Sequence, residues 1–318
     1  MKVIRDLCKH HEAEFLENTP IAPYTTFRIG GNCNIIKVNN VELLCEVLKH
    51  CHSAEIPWHI IGRGSNILIS DAGLSGVVIL VGDDFSKVCV ENDVSNANNK
   101  ILRCEAGARL SEVCKIALTN NLTGFEFAYG IPGTVGGALC MNAGAYGGEM
   151  SDVVESCTFI DVNQNDCIPQ NLSRTDMNLS YRNSCFDNNS VITEVCLRLK
   201  QVTDDSSVKS IKYKMDEITN ARREKQPLEF PSAGSTFKRT GHPIHPYAAK
   251  LIDDCGLKGK SVGGAMVSEK HAGFIINTGN ATFDDVIALI EIVQAEVLKS
   301  TGIKLETEVK IWRYSRSV

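Results

Sequence analysis

Apolar and polar residues alternate along the chain in two different periods, which predicts helices interspersed with short strands. Apolar residues recur every three or four positions in residues 41–50 and 110–120, which is typical of helices with one buried face. A further helix is predicted to begin after Thr282, because Thr is a favourable N-cap and Asp285 three positions later completes a capping-box-like pair. Gly302 is a fitting stop for this helix.

The charged segment 207–225 is predicted to be a helix and the junction between domains, because the composition changes there from strand-rich to mixed. The polar, Asn-rich segment 92–100 indicates a hairpin tip or loop. Many short strands with fewer helices favour an α+β fold over a doubly wound parallel sheet. The predicted strands are Trp58–Ile61, Ile67–Ile69, Val77–Val81, Ser156–Ile160, Val191–Leu197 and Leu305–Trp312.

The composition is that of a globular protein: 318 residues, of which 43% are hydrophobic and 22% charged. A net charge of -5 gives no electrostatic reason to expect nucleic acid or an anionic membrane as a partner, although local Arg and Lys can still bind an anionic small molecule. No apolar run is long enough to span a bilayer, and the charged segment 1–17 lacks the apolar core of a signal peptide. We therefore expect a cytoplasmic protein.

Thirteen cysteines are scattered between Cys8 and Cys255 without C-x-x-C spacing. An odd number of dispersed cysteines in a chain of this length predicts reduced, mostly buried thiols and no disulfides. The Cys and His residues are not clustered in the sequence, so no structural metal site is predicted.

Two glycine-rich segments are candidate ligand loops. Residues 62–66, Gly-Arg-Gly-Ser-Asn, lie between two predicted strands, where glycines let backbone N–H groups converge on an anion such as a pyrophosphate. An ordinary tight turn is the alternative, and no G-x-G-x-x-G opens a helix here. Residues 130–148 contain seven glycines, which suggests close approach of the main chain to a flat ligand. A loop that covers a sheet edge is the alternative.

Other short motifs are weaker when taken alone. Gly259-Lys260-Ser261 lacks the upstream glycine of a P-loop, since position 254 is Asp, and a surface loop is the better interpretation. Ser235 follows a glycine without a G-x-S-x-G context, so it does not predict a nucleophile elbow, and an ordinary turn serine is the alternative. Arg182 and Glu308, each taken alone, are typical of charged residues on the protein surface.

As an ordered set, the motifs resemble the UDP-N-acetylenolpyruvoylglucosamine reductase family, over roughly residues 18–312. Each motif is short, and the specificity lies in their common order. The matching segments are Tyr24–Gly31, Gly62–Asn66, Gly130–Gly137, Asn142–Gly147, Tyr181-Arg182, Gly234–Lys238 and Leu305–Val309.

The resemblance implies an α+β FAD-binding fold of the vanillyl-alcohol-oxidase (PCMH) type. It divides the chain into a first FAD-binding subdomain (residues 1–82), a second FAD-binding subdomain (83–206) and a C-terminal substrate-binding domain (207–318). The last strand is expected to return to the active site.

The resemblance also implies the activity: FAD passes a hydride from NADPH to the enolpyruvyl group of a UDP-sugar enol ether, which yields UDP-N-acetylmuramate for peptidoglycan synthesis. The expected partners are these small molecules, and neither nucleic acid nor a membrane is expected as a partner. The sequence does not fix the oligomeric state, and a monomer is one of the states it allows. By the same resemblance Arg182, Ser235 and Glu308 are catalytic. Arg182 stabilises the developing enolate, Ser235 donates the proton to the enolate carbon, and Glu308 lies beside the same intermediate.

The resemblance assigns the remaining positions of the motifs to ligand contacts. The expected cofactor-binding residues are Tyr24, Gly62, Arg63, Gly64, Ser65, Asn66, Gly130, Pro132, Gly133, Thr134, Gly136, Gly137, Asn142, Gly144 and Ala145. The expected substrate-binding residues are Tyr181, Lys225, Lys238 and His271.

Arg182 and Ser235 are 53 residues apart, which leaves room for one strand and one helix and predicts the short-loop class of the family. Three positions depart from the family pattern: Arg239-Thr240 replace the common Asn-Pro, and Gly273 replaces a frequent Asn. These departures bear on substrate contacts. They also favour one alternative, a non-catalytic flavin- or nucleotide-binding relative. A related FAD-dependent oxidase is a second alternative, which would leave Ser235 and Glu308 unexplained.

Overall fold

The last long helix begins and ends at its predicted residues. In a computed structural model that describes residues 1–164 and 166–314, the Thr282 hydroxyl accepts from the Asp285 N–H at 3.1 Å, and the Asp285 carboxylate accepts from the Thr282 N–H at 3.0 Å. At the other end Gly302 adopts φ 72°, a left-handed conformation that suits glycine. The capping box and the stop are therefore confirmed.

The other predicted helices also form, with small differences at their ends. The helix at 41 continues to residue 53, the helix at 110 ends at 119, and the charged helix begins at 205. The α-helices over the described residues are α1 (Lys2–His10), α2 (Val41–Ser53), α3 (Leu110–Thr119), α4 (Val135–Cys140), α5 (Asp205–Lys225), α6 (Ala248–Asp254) and α7 (Phe283–Thr301).

The strands form at the predicted places and at several others. Over the described residues they are β1 (Glu14–Pro20), β2 (Asn32–Lys37), β3 (Trp58–Ile61), β4 (Ile67–Ile69), β5 (Val77–Leu80), β6 (Val88–Asn92), β7 (Asn99–Glu105), β8 (Leu122–Thr123), β9 (Gly144–Ala145), β10 (Gly148–Glu149), β11 (Val154–Asp161), β12 (Gln170–Ser173), β13 (Ser190–Gln201), β14 (Ser261–Val262), β15 (Ala265–Val267), β16 (Ile275–Asn277) and β17 (Lys310–Trp312).

The chain forms two compact units, each assembled from separate segments. The first unit comprises residues 1–17, 34–63 and 76–221, and the second comprises residues 18–33, 64–75 and 222–318. The division into subdomains at residues 82 and 206 stays a prediction.

The first unit contains a four-stranded and a six-stranded sheet over one continuous apolar core, together with the two-stranded sheet of β9 and β10. In the sheet with the order β1-β2-β5-β3, β5 pairs in parallel with both β2 and β3. The larger sheet has the order β12-β11-β13-β7-β6, and its neighbouring strands are antiparallel, as expected where hairpins connect them. The predicted hairpin tip at 92–100 joins β6 to β7. Helices α2 and α3 bury Leu44, Leu48, Leu110 and Val113 in this core, so that each packs one apolar face.

The second unit has its own core, to which α7 contributes Val286, Ile290 and Val293. An antiparallel sheet has the order β14-β15-β16, and β17 pairs in parallel with β4. The segment 305–312 was predicted to be one strand, which is wrong for its first half, because only Lys310–Trp312 forms a strand. Residues 306–308 instead pair with a separate segment through the single bridge Phe237↔Thr307.

The described residues include no helix that is both long and apolar enough to cross a membrane. All thirteen cysteines are free thiols, and eight of them are buried. Burial raises the pKa of Cys8 and of Cys51 to about 11, which keeps these thiols protonated and unreactive at neutral pH.

Candidate active site

The Gly62–Asn66 loop connects two different sheets and crosses the division between the units after Arg63. In the first unit, Gly62 lies against Thr134: a Cβ added at Gly62 would be 2.4 Å from the Thr134 Oγ1 atom. No side chain fits there, so this glycine is required for packing between the two predicted cofactor loops. Arg63 is exposed.

The second glycine-rich segment forms the start of the short helix α4. Thr134 is the N-cap, and its hydroxyl accepts from the Gly137 N–H at 3.3 Å. A Cβ at Gly136 would lie 2.7 Å from the Ala106 Cβ atom, so Gly136 serves internal packing. Gly137 is different, because it is exposed and the nearest atom to an added Cβ is 3.4 Å away. The protein itself does not require glycine at position 137.

The residues before α4 are held by the start of α3. The Leu110 N–H donates to the Gly133 carbonyl at 3.1 Å, while the Gly133 N–H donates to Ile131 at 2.9 Å. Pro132 is exposed between them, and Gly130 is half-buried. The predicted residues Gly130–Gly137 therefore form one connected turn and helix start.

Sequence reasoning missed an ion pair beside this turn. Arg109, which precedes α3, makes a backbone bridge with Thr134, and its Nε atom donates to the Asp83 carboxylate at 2.7 Å. Hydrogen bonding from Arg109, assisted by the charges of Arg109 and Arg63, lowers the pKa of Asp83. The only signal in the sequence was a basic residue directly before a predicted helix.

Asn142 links the glycine-rich segment to the segment that carries Arg182. Its side chain is fully buried; the amide nitrogen donates to the Ser180 carbonyl at 3.0 Å, and the amide oxygen accepts from the Ser151 N–H at 2.9 Å. Both ends of the amide therefore stabilise the protein. The contact of Asn142 with a cofactor stays a prediction.

Arg182 occupies a strained turn. Ser180 and Asn183 exchange two backbone hydrogen bonds of 3.1 Å, so Tyr181 and Arg182 are the central residues of a tight turn. Arg182 has φ 54°, which favours glycine or asparagine at this turn position, and an arginine there costs about 1 kcal/mol or more.

The strained arginine is held by two further contacts. Its guanidinium lies 5.2 Å from the centre of the Tyr181 ring, and its Nη2 atom donates to the Gly144 carbonyl at 3.3 Å. Gly144 and Ala145 form β9, which pairs with β10, and a Cβ at Gly144 would lie 2.7 Å from the Glu149 Cβ atom. The first unit thus brings Asn142, Gly144 and Arg182 together.

In the second unit, the predicted residues 64–66 pack on the first motif. Gly64 has φ 58°, and a Cβ there would be 2.5 Å from the Tyr24 carbonyl oxygen. Ser65 and Asn66 are half-buried, and the Asn66 amide donates to the Glu308 carbonyl at 3.2 Å. Tyr24, Gly64 and Asn66 therefore lie close together within the second unit.

Thr26 was not predicted as a site residue, although it lies within the first motif. Its N–H donates to the Gly64 carbonyl at 3.2 Å, and its hydroxyl donates to the Ser232 carbonyl at 2.7 Å. Thr26 therefore ties the glycine loop to the start of the serine segment.

The serine segment pairs with the segment that carries Glu308. The Glu308 N–H donates to the Thr236 carbonyl at 2.8 Å, and the Lys238 N–H donates to the Glu306 carbonyl at 2.9 Å. Ser235 is exposed beside Gly234, which has φ 75° and no atom within 4 Å of an added Cβ. Two of the three predicted catalytic residues, Ser235 and Glu308, are thus on directly paired segments.

His271 is oriented by its own turn. Its Nδ1 atom accepts from the Gly273 N–H at 3.1 Å, which leaves the proton on Nε2. Burial, assisted by the charge of Lys258, lowers the pKa of His271, so the ring is neutral at pH 7. A Cβ at Gly273 would lie 3.0 Å from the His271 Cε1 atom, so the glycine at this departing position leaves room for the ring.

The two predicted lysines have different surroundings. Lys238 Nζ lies 3.5 Å from the Glu306 carboxylate in an exposed pair, which contributes little to stability. Lys225 is the exposed last residue of α5. The helix end beside it is fixed by Lys270, whose Nζ atom donates to the Arg223 carbonyl at 2.8 Å.

Comparisons with known proteins agree with this arrangement. Residues 34–165 match a family described as an FAD binding domain, and residues 226–312 match the UDP-N-acetylenolpyruvoylglucosamine reductase C-terminal domain. The predicted α+β fold with an FAD-binding domain of the vanillyl-alcohol-oxidase type is therefore confirmed.

Relatives of nearly full length carry the same description. A UDP-N-acetylenolpyruvoylglucosamine reductase of Caldanaerobacter subterraneus subsp. tengcongensis is 46% identical over 94% of both chains. One from Clostridium perfringens is 45% identical over 95% of this chain and 94% of its own. The crystal structure of the Thermus caldophilus reductase aligns with a TM-score of 0.75 at 32% identity and covers 94% of this chain and 98% of the other. The chain therefore belongs to the UDP-N-acetylenolpyruvoylglucosamine reductase family.

Proposed function

We propose that this chain reduces UDP-N-acetylglucosamine enolpyruvate to UDP-N-acetylmuramate, with FAD as hydride carrier and NADPH as reductant. The observation that carries the proposal is the 46% identity to a named reductase along 94% of both chains. The reaction supplies a peptidoglycan precursor, and a cytoplasmic location and a monomeric state are part of the proposal.

The residues of the two glycine-rich loops fit a flavin dinucleotide. Gly137 is exposed at the start of α4 with no packing need for glycine, so its missing side chain leaves the main chain open to a ligand. The exposed Arg63 supplies positive charge for a pyrophosphate, whereas the charge of Arg109 is balanced by the Asp83 carboxylate. When bound, FAD accepts a hydride from one reactant and passes it to another.

Arg182 is proposed to stabilise the charge that develops on the substrate. Hydride addition to an enol ether that carries a carboxylate makes an enolate, and a rigid guanidinium beside it lowers the barrier. The strained turn and the bond to Gly144 hold the guanidinium in one orientation before substrate binds. A strained backbone at a non-glycine residue is a common feature of functional positions.

Ser235 is proposed to donate the proton that completes the reduction. A hydroxyl is a weak acid in water and becomes a useful donor only when it is positioned and electrostatically supported. Pairing of its segment with that of Glu308 supports such positioning, and the open space at Gly234 gives a ligand access. Glu308 is proposed to lie beside the same intermediate, whereas Lys225 and Lys238 are proposed to bind the phosphates of the substrate.

The test is a spectrum and a turnover assay on one preparation. The purified protein should absorb visible light as a flavoprotein, and NADPH should bleach that absorbance under argon. The enolpyruvyl substrate should restore it, and the product should exceed the substrate in mass by one hydride and one proton. A protein that fails to take up FAD, or that regains colour in air but not with the substrate, contradicts the proposal. The second result would indicate an oxidase.

A further inference from the structure

The short helix α4 is firmly attached to the rest of the first unit. It has six residues, so it is about 9 Å long. At its start, the N–H groups of Val135 and Gly136 donate to the carbonyls of Ala108 and Ala106, both at 2.9 Å. Val135 and Leu139 are fully buried in the core of the unit. The helix is therefore a fixed element between the predicted cofactor residues at its start and the segment that follows its end.

Asn142 terminates α4. It has φ 40°, a left-handed conformation that asparagine adopts more readily than most residues other than glycine. Its N–H donates to the Leu139 carbonyl at 3.0 Å, and the Ala143 N–H donates to the Ala138 carbonyl at 2.8 Å. These bonds satisfy carbonyls at the end of the helix. The helix end therefore sets the place of the Asn142 side chain.

The arginine turn, residues 180–183, is attached to this helix end by two side chains. The Asn142 amide donates to the Ser180 carbonyl at 3.0 Å. In the opposite direction, the Ser184 hydroxyl donates to the Cys140 carbonyl at 2.7 Å. Ser180 opens the turn and Ser184 directly follows it. The two bonds therefore hold the turn at both of its ends, with the arginine between them.

The strained turn needs this support. The Arg182 backbone has φ 54°, and the bond from its guanidinium to the Gly144 carbonyl is long, at 3.3 Å. A strained residue keeps its conformation only where the surrounding structure determines it. Asn142 is fully buried and Ser184 is half-buried, so water competes little for the two bonds that attach the turn.

We propose that Asn142 and Ser184 are positioning residues that set the place of the Arg182 guanidinium relative to α4. The proposal rests on the proposed function, in which Arg182 stabilises the enolate. It requires no contact of either side chain with a ligand, because both act through main-chain carbonyls. Such positioning matters for rate, since a displacement of about 1 Å can slow a reaction about a hundredfold.

The first experiment measures both half-reactions of FAD-loaded Ser184→Ala by stopped flow. Reoxidation of the flavin by the enolpyruvyl substrate should slow about tenfold, the order of one lost hydrogen bond. Bleaching by NADPH should keep the wild-type rate, because Arg182 has no role in that step. Ser184→Thr keeps a hydroxyl and should recover most of the loss. Ser53→Ala is the matched control, because the Ser53 hydroxyl also donates to a carbonyl, at 3.1 Å at the end of α2, and this variant should react as the wild type does.

Asn142→Gly tests the other end of the turn. Glycine suits the left-handed backbone at this position and removes the amide that donates to Ser180, so reoxidation should again slow about tenfold while bleaching is unchanged. The matched control is Asn121→Gly, at an exposed asparagine with φ 56° that follows α3 as Asn142 follows α4. Thermal unfolding establishes that each variant folds, and the Ser184 pair decides the matter if Asn142→Gly does not.

A double-mutant cycle separates positioning from a general loss of stability. Arg182→Gly has no guanidinium to position, so adding Ser184→Ala to it should not slow reoxidation further, whereas independent effects would multiply. A further tenfold loss in the double variant, or a wild-type reoxidation rate in Ser184→Ala, overturns this proposal alone. An Arg182→Gly variant that is reoxidised at the wild-type rate overturns the proposed role of Arg182 and this proposal with it.

Discussion

The backbone N–H of Glu308 donates to the carbonyl oxygen of Thr236 across 2.8 Å. Ser235 precedes that carbonyl, so its position depends directly on the segment that carries Glu308. Asn66 donates to the Glu308 carbonyl from the other side, and β17 continues two residues later beside β4. The C-terminal segment therefore fixes the serine segment by main-chain bonds, which no single side-chain substitution removes.

The strain at Arg182 predicts a conflict between stability and function. Arg182→Gly relieves the positive φ, so the free energy of unfolding should stay at the wild-type value or rise by about 1 kcal/mol. Turnover should be lost, because no guanidinium then stabilises the enolate. Urea unfolding and steady-state kinetics measure the two effects.

Glu55→Gly is the matched control for this variant. Glu55 is exposed with φ 52°, so the same relief of strain should leave turnover unchanged. If Arg182→Gly destabilised the protein by more than about 1 kcal/mol, the contacts of Arg182 would outweigh the strain and its turn would be a structural element.

The predicted site residues fell into two physical groups that the sequence does not separate. Gly62 and Gly136 are glycines because a side chain would strike Thr134 or Ala106, whereas Gly137 has no such neighbour. A glycine required for packing and a glycine required by a ligand look the same in one sequence. Only the coordinates of the neighbouring segments distinguish them.

Gly273 is predicted to control the position of His271. Gly273→Ala places a Cβ about 3.0 Å from the His271 Cε1 atom, so the ring must shift by a few tenths of an ångström. The KM for the enolpyruvyl substrate should rise about fivefold, equivalent to about 1 kcal/mol, while flavin reduction by NADPH is unchanged.

The same substitution at Gly82 is the control, because no atom lies within 4 Å of a Cβ added there. Gly82→Ala should leave KM as it is. An unchanged KM in Gly273→Ala would show that His271 does not contact the substrate.

The burial of His271 predicts a loss of stability in acid. Burial lowers the pKa of His271 in the folded protein, so the unfolded chain binds a proton first as the pH falls below about 6.5. Stability from this group is present above that pH and is lost as the pH falls through the lowered pKa. His271→Gln should reduce the drop in unfolding temperature between pH 7 and pH 5, whereas His52→Gln, at an exposed histidine, should not. Equal drops in wild type and His271→Gln would contradict the assignment.

Local sequence signals predicted helices better than they predicted pairings. The Thr282–Asp285 box and Gly302 set the ends of α7 through contacts within a few residues. The alternation in 305–312 suggested one strand, yet residues 306–308 pair with the serine segment and residues 310–312 with β4. Pairing partners far apart in the chain decide where such a strand begins, and periodicity contains no information about them.

The role of Ser235 is tested most directly by separating the two half-reactions of Ser235→Ala in stopped flow. Loss of the hydroxyl should leave bleaching of the flavin by NADPH nearly at the wild-type rate, because no proton donor is needed for that step. Reoxidation by the enolpyruvyl substrate should slow by roughly a hundredfold to ten-thousandfold, or about 3 to 5 kcal/mol of barrier. Ser235→Cys should recover part of the rate, since a thiol can still donate a proton. Equal slowing of both half-reactions in Ser235→Ala would contradict the account, because the serine would then be positioning the flavin or stabilising the fold.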